Sequence, residues 1–451
     1  MQQWRKFIYG KILYDWVSEM KRIPLNKAVF ASTIGTTLEF YDFTLFGFLA
    51  PIFSTYFFPN ENLFLSTIYG YITFMVGYLF KPLGAILWGH IGDKYGRRVA
   101  LCSSLHLMGF STLMMGLLPT YAHIGIAAPL FLLLARIVQG LSEGGELAGG
   151  LLFTLEHTEP KYKGFAGGIF NGICTSGILL GSLAGYICTL KHMPIWAWRI
   201  PFLLGFLIVL IGLYIRKNVT ETPVFQSIKK EDILALPLYH GIKTEYQQFI
   251  YMLLITGLPA VAFHMNFIYL PMYFKDLSGI GEQLARLSST VGILYLILLL
   301  PIFGYLSDRY GQATLMKLGA IGLLIWGLFL FSQLDTFSAS KLWMGYFIFT
   351  TGLAMFNGPW CAFAYEVFQK KHRYSCIGTA NTIGGALFGG TAPLIGTTLL
   401  KLEHGLIFLS IYLSLWAMLG YFAVHKLQGL QMKNLNLDFG DTHHAHNEKF
   451  A

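Results

Sequence analysis

The sequence predicts an all-α membrane protein in which twelve transmembrane helices form two pseudo-symmetric six-helix bundles. Three observations predict it. Of the 451 residues 55% are hydrophobic and only 12% charged, about half the charged share of a soluble globular chain. Apolar runs of roughly 20 residues recur along almost the whole length, each long enough to cross about 30 Å of hydrocarbon as a helix. Strands are excluded, because an open sheet would leave backbone groups unpaired in lipid. Finally, one glycine-rich pattern occurs twice, 215 residues apart, close to half the chain.

Residues 1–27 are polar and basic and show no cleavable signal. Phe7, Ile8, Ile12, Leu13, Trp16 and Val17 recur at near-helical spacing, which suggests an N-terminal cytoplasmic segment with an interfacial helix or a loosely ordered arm. An N-terminal bundle of 28–215 follows, with spans near 28–57, 66–92, 99–119, 123–150, 164–190 and 197–215. A cytoplasmic linker, 216–247, carries Arg216, Lys217, Lys229 and Lys230. The C-terminal bundle of 248–425 has spans near 248–274, 286–307, 314–333, 341–366, 376–400 and 404–425, and a cytoplasmic tail of 426–451 ends the chain.

With both termini placed in the cytoplasm, 24 of the 32 Lys and Arg residues fall in cytoplasmic segments, six in external ones and two, Lys81 and Arg136, deep in helices. That bias is the positive-inside pattern of an inner, cytoplasmic membrane. The net charge of +9 is therefore a topology signal and does not point to nucleic acid. Cys102, Cys174, Cys188, Cys361 and Cys376 stand singly in predicted helices and read as packing residues. His443, His444 and His446 read as part of a solvated tail, and no metal site is expected.

The repeated pattern is Gly89-His90-Ile91-Gly92-Asp93-Lys94-Tyr95-Gly96-Arg97-Arg98 after the second span and Gly304-Tyr305-Leu306-Ser307-Asp308-Arg309-Tyr310-Gly311 after the eighth. Each copy sits at the same place in its half, as parallel repeats require. The glycines allow a tight turn, and the aspartate can accept bonds from a helix N-terminus or pair with a nearby arginine. Gly89, Asp93, Gly96, Arg97, Arg98, Gly304, Asp308, Arg309 and Gly311 are thus candidates for a cytoplasmic gate that must break when that side opens. The plainer alternative is a basic loop that only sets topology.

With these two copies the chain resembles the major facilitator superfamily over roughly residues 25–425. Five further stretches are similar to its metabolite:proton symporter family: Thr37-Leu38-Glu39-Phe40-Tyr41-Asp42-Phe43, Arg136-Ile137-Val138-Gln139-Gly140 with Gly144-Gly145-Glu146, Trp198-Arg199-Ile200-Pro201-Phe202, Glu221-Thr222-Pro223-Val224-Phe225, and Phe388-Gly389-Gly390-Thr391-Ala392-Pro393. The resemblance implies carriage of organic acids, proline, betaines or related compounds. The chain departs from the family in having Lys81-Pro82 where Arg-Pro is usual. The second loop copy also ends in Gln312 and Ala313 where the first has Arg97 and Arg98.

Ionisable groups at membrane depth are costly and point to function. Glu39 and Asp42 share one face of the first span, Lys81 and Arg136 lie at comparable depth, and Glu143 follows Arg136 by nearly two turns with Gln139 between them. The four midplane groups Glu39, Asp42, Lys81 and Arg136 sum to zero, which mutual pairing across a cavity needs. Glu39, Asp42, Arg136 and Glu143 are the candidates for proton coupling, with a static ion-pair network as the alternative. Lys81, Arg136, Gln139, His264, Asn266, Asn357, Trp360 and Asn381 are the candidates for substrate binding. In the fifth span Gly167, Gly168, Gly172, Gly177, Gly181 and Gly185 allow close helix contact, with or without rocking.

The function expected is proton-coupled symport of a small organic acid or zwitterionic osmolyte by alternating access, in a monomer surrounded by lipid. Protons are the coupling ion and no other cofactor is expected. Efflux or siderophore transport on the same fold, or a non-transporting receptor, are the alternatives. Enzyme chemistry is not expected: Gly140-Leu141-Ser142-Glu143-Gly144 has nucleophile-elbow spacing but lies inside a predicted membrane helix. Walker, zinc and H-E-x-x-H patterns are absent from the sequence.

Overall fold

The apolar runs fold as helices in a computed structural model that describes residues 27–188, 190, 192–194, 196–269, 282–332, 339–400, 402–403 and 405–447. The segment proposed for an interfacial helix, up to residue 26, lies outside the described residues. The first half contains α1 (Lys27–Phe57), α2 (Leu63–Tyr95), α3 (Arg97–Leu117), α4 (Ala127–Glu143, then Glu146–Glu156), α5 (Lys163–Cys188) and α6 (Arg199–Lys217). The second half contains α7 (Tyr246–Phe263, running into a π-helical turn His264–Tyr269), α8 (Glu282–Tyr310), α9 (Gln312–Ser332) and α10 (Ala339–Asn357, then Trp360–Val367). It closes with α11 (Arg373–Gly384, a π turn Gly385–Gly389, then Ala392–Leu400) and α12 (Gly405–Asn447). Every regular element among the described residues is helical, and seven helices are long and apolar enough by themselves to cross a membrane. The outer faces are apolar: Leu79, Tyr214 and Leu394 are about 70% exposed, as a lipid-facing surface requires.

The fourth span, expected as one helix over 123–150, is broken at Gly144-Gly145. The cause is the crossing with α2. A Cβ at Gly140 would strike the Gly77 carbonyl, and one at Gly144 would strike the Lys81 carbonyl and the Ala85 amide. The Trp88 indole donates to the Leu141 carbonyl at 2.7 Å across the same contact. Gly144→Val is therefore expected to cost at least about 1–3 kcal/mol by overpacking, read as a fall in thermal unfolding temperature in detergent. Gly322→Ala, whose Cβ would meet nothing nearer than 3.8 Å, is the matched control and is expected to be neutral.

The glycines of α5 divide their work in a way the spacing alone does not reveal. Gly164, Gly167, Gly168 and Gly172 face α8 and α10 of the other half, whereas Gly177, Gly181 and Gly185 face Thr37, Tyr41 and Phe48 of α1. The halves also meet where α2 packs on the start of α11. These contacts gather at the end of the bundle that bears the two repeated loops, so that end is closed.

A short linker helix, Pro237–Thr244, rests on α2 of one half and α11 of the other. On either side of it Asp232 takes the Lys371 ammonium at 2.7 Å and Glu245 takes the His372 Nε2 at 2.7 Å. The Lys371 ammonium holds the exposed Asp232 carboxyl below its ordinary range. The last helix continues to Asn447, past the expected end at 425. Tertiary contact supports its extension as far as Gln428, since Leu427 is buried and Gln428 accepts from Lys317 of α9 at 2.6 Å.

Candidate functional site

The glycine crossing of α2 on α4 brings Lys81 against Glu143. The Lys81 ammonium lies 2.9 Å from Glu143 and 3.1 Å from Glu39 of α1, so one cation bridges two carboxylates from different helices. All three side chains are nearly inaccessible. Asp42, one turn along α1 from Glu39, accepts from the Thr112 hydroxyl of α3 at 2.5 Å. Among the described residues each of these carboxylates keeps one buried oxygen without a donor: Glu39 Oε2, Asp42 Oδ1 and Glu143 Oε1.

Arg136 takes a different environment. Its guanidinium donates to the Gln139 side-chain oxygen and, at 3.1 Å, to the Phe74 carbonyl, and it lies 4.2 Å from the centre of the Phe46 ring. Gly77 leaves the space it occupies. Among the described residues no carboxylate comes within 4 Å of it, although Glu143 and Asp42 are the nearest sources of negative field.

The expected pairing is found for Lys81 with Glu39 and corrected for the rest. The four midplane groups do not close on themselves, because helix crossing hands Glu143 to Lys81 and leaves Arg136 on aromatic faces. The cluster holds three carboxylates, Glu39, Asp42 and Glu143, against two cations, Lys81 and Arg136.

The second half supplies fewer contacts. His264 bonds the Ala260 carbonyl at 2.8 Å and faces Gly389 of the α11 π turn. The Asn266 backbone carbonyl accepts from the Tyr346 hydroxyl at 3.0 Å, while its side-chain nitrogen is buried with no partner among the described residues. The Asn357 carbonyl accepts from Asn171 of α5 at 3.1 Å, the Trp360 indole nitrogen is buried without a partner, and Asn381 is half-buried just before the π turn. Among the described residues no hydrogen bond or ion pair joins any of them to the charged cluster.

The candidate gate residues come together as two related clasps. Asp93, at the end of α2, accepts from the Tyr374 and Ser375 amides at 3.2 and 2.8 Å, and Asp308, at the end of α8, accepts from the Gly164 and Phe165 amides at 2.6 and 2.8 Å. Each aspartate thus caps the first turn of a helix in the opposite half, α11 or α5. Gly89 and Gly304 allow this approach, the first against Ser375 and the second against Gly164. Gly96 and Gly311 have φ of 115° and 88°, the left-handed region glycine enters freely.

The clasps differ in their cations. Arg97 is fully buried and reaches Asp93 at 3.1 Å, Glu156 at 3.6 Å and the Lys370 carbonyl of the other half at 3.0 Å. Gln312 stands in its place in the second copy. Arg98 instead donates its side chain to the Arg216 and Lys217 carbonyls, and its amide to Glu221. Arg309 lies 4.5 Å from the centre of the Tyr305 ring.

Sequence reasoning missed a further buried ion pair. Glu146 binds Arg216 at 2.9 Å and accepts from the Ser104 hydroxyl. Glu146 lay in a named motif, but Arg216 carried only a topology signal, because nothing in its local spacing shows that the end of α6 turns inward.

The model of the major facilitator superfamily matches residues 32–393. A putative proline/betaine transporter of Staphylococcus aureus is 31% identical over 418 residues, which are 88% of this chain and 87% of that protein. The proline/betaine transporter of Salmonella typhimurium is 30% identical over 423 residues, 91% of this chain and 83% of that one. Among solved structures, the proton:xylose symporter XylE bound to 6-bromo-6-deoxy-D-glucose superposes with a TM-score of 0.74 at 17% identity, covering 89% of this chain and 95% of that one. These relatives are transporters rather than enzymes.

Proposed function

Because this chain belongs to the major facilitator superfamily and is a membrane-spanning secondary transporter, we propose that it carries a small organic acid or zwitterionic osmolyte in symport with protons by alternating access. In this reading twelve helices of a monomer cross a bacterial inner membrane with both termini in the cytoplasm, and the closed end faces inward. The observation that carries it is the buried cluster in which Glu39, Asp42 and Glu143 outnumber Lys81 and Arg136. One proton makes that cluster neutral, and the donor-free oxygens of its carboxylates offer the proton a seat.

Asp42 is the preferred site because, among the described residues, it makes no ion pair and accepts from the neutral Thr112 hydroxyl, whereas Glu39 and Glu143 share the Lys81 ammonium. Arg136, free of a close carboxylate, is placed to grip the substrate carboxylate, with Gln139 beside it. The relatives named for proline and betaine support a zwitterion carrying that group. His264, Asn266, Asn357, Trp360 and Asn381 would complete the site from the second half, and Trp360 and Asn266 each bring a buried nitrogen still lacking a partner.

The test is uptake of labelled carboxylates, betaines and amino acids into proteoliposomes, with and without an inward proton gradient. Gradient-driven accumulation of one compound is expected. Asp42→Asn is expected to abolish accumulation while preserving exchange of substrate across the membrane. Unchanged accumulation would remove Asp42 from proton coupling, and no accumulation of any compound by folded wild type would turn the assignment to efflux.

A further inference from the structure

Two cations from opposite halves of the molecule meet on one aromatic ring. Lys163, the first residue of α5, holds its ammonium 4.0 Å from the centre of the Tyr365 ring, and Arg373, the first residue of α11, holds its guanidinium 4.1 Å from the same centre. Tyr365 is buried in the second segment of α10. Each cation immediately precedes amides that a clasp aspartate caps, Gly164 and Phe165 for Lys163, Tyr374 and Ser375 for Arg373.

Lys163 and Arg373 occupy equivalent positions, 210 residues apart, as do Glu156 and Glu366. The residue equivalent to Tyr365 is Leu155, so the ring exists in one half only. Closing this end brings two like charges together, and the negative face of the ring is what offsets their repulsion. Glu366 and Glu156 add negative field at Lys163.

The three groups do not move as one. Arg373 and Tyr365 belong to the same half, and Arg373 Nε also donates to the Phe368 carbonyl at 2.9 Å, so this contact survives a relative movement of the halves. The Lys163 contact crosses the interface and must break.

We propose that Tyr365 is a latch: its ring, fixed by Arg373, captures Lys163 whenever this end closes, and so sets how long the closed state lasts. The idea rests on the alternating-access reading, but its test does not require transport. The Lys163 contact is to the π face, whereas the phenol hydroxyl meets Arg373 of its own half, so Tyr365→Phe keeps the latch while Tyr365→Leu loses it. Lys163→Met loses the same contact from the other side.

Cys361 supplies a native reporter. It lies one turn before Tyr365, is 1% exposed and packs against Gly167 of α5 across the interface. In a background with the other four cysteines replaced by alanine, alkylation of Cys361 by N-ethylmaleimide in proteoliposomes reads opening of this end directly. Tyr365→Leu and Lys163→Met are each expected to speed alkylation about three- to thirtyfold, the range of a partly desolvated cation–π contact, and together no further than either alone. Tyr365→Phe and Lys163→Arg are expected to match the parent. Equal rates in Tyr365→Leu and parent, equal acceleration in Tyr365→Phe and Tyr365→Leu, or an additive double variant would each overturn the latch. Lys163 is half-buried at a helix start, so its variant keeps the test decisive should Tyr365→Leu misfold. A failure of proton coupling would leave these rates unaffected.

Discussion

Methionine in place of Lys81 is expected to destabilise the protein by about 3–5 kcal/mol, the cost of leaving a buried charge without its partner. The effect is large because two carboxylates lose their cation at once: Glu39 at 3.1 Å and Glu143 at 2.9 Å. Thermal unfolding in detergent checks it, as a fall in midpoint of several degrees or more. A triple variant, Lys81→Met with Glu39→Gln and Glu143→Gln, is expected to recover the midpoint, because neutral amides need no counter-charge, yet to remain without proton-driven uptake. Lys81→Arg is expected to stay folded, since a guanidinium can serve both carboxylates. A Lys81→Met protein as stable as wild type would mean that the two glutamates are not ion-paired in the membrane.

Alanine at Asp93 is expected to open the closed end. Two bonds from the α11 amides disappear, each worth about 1.5–3 kcal/mol when the acceptor is charged, and buried Arg97 keeps only Glu156 at 3.6 Å as a carboxylate partner. Cys376 reports the change, because it is buried on α11 against Gly241 of the linker helix. Its alkylation should accelerate at least about tenfold, corresponding to 1.4 kcal/mol. Asp308→Ala should have the smaller effect, because Gln312 stands in the second copy where Arg97 stands in the first. Equal rates in Asp93→Ala and wild type would show that the cap does not hold this end shut.

The candidate gate could be read from the sequence because it is written twice in continuous stretches whose glycines and aspartates have a purely local meaning. Glu39 and Lys81 stood out for a similarly local reason, as charges inside apolar runs. Which carboxylate meets which cation depends on helix crossings, and Gly140 and Gly144 set the crossing that hands Glu143 to Lys81. Nothing in the spacing of Arg136 and Glu143 along α4 foretells that. Glu146 with Arg216 was hidden for the same reason, its partners being 70 residues apart. The break in α4 also escaped periodicity, since a glycine pair inside an apolar run looks like close packing until a neighbouring backbone occupies the space.

The excess of one carboxylate in the buried cluster has an electrical consequence. A charge carried across the membrane field exchanges about 2.3 kcal/mol per 100 mV. Three carboxylates against two cations make the empty site an anion, and a proton makes it neutral. In the symport cycle proposed above, an interior-negative voltage pushes the empty site back toward the outside, while the site loaded with a proton and a zwitterion crosses without sensing voltage. The membrane potential would act on the return stroke, resetting the carrier rather than pulling the cargo.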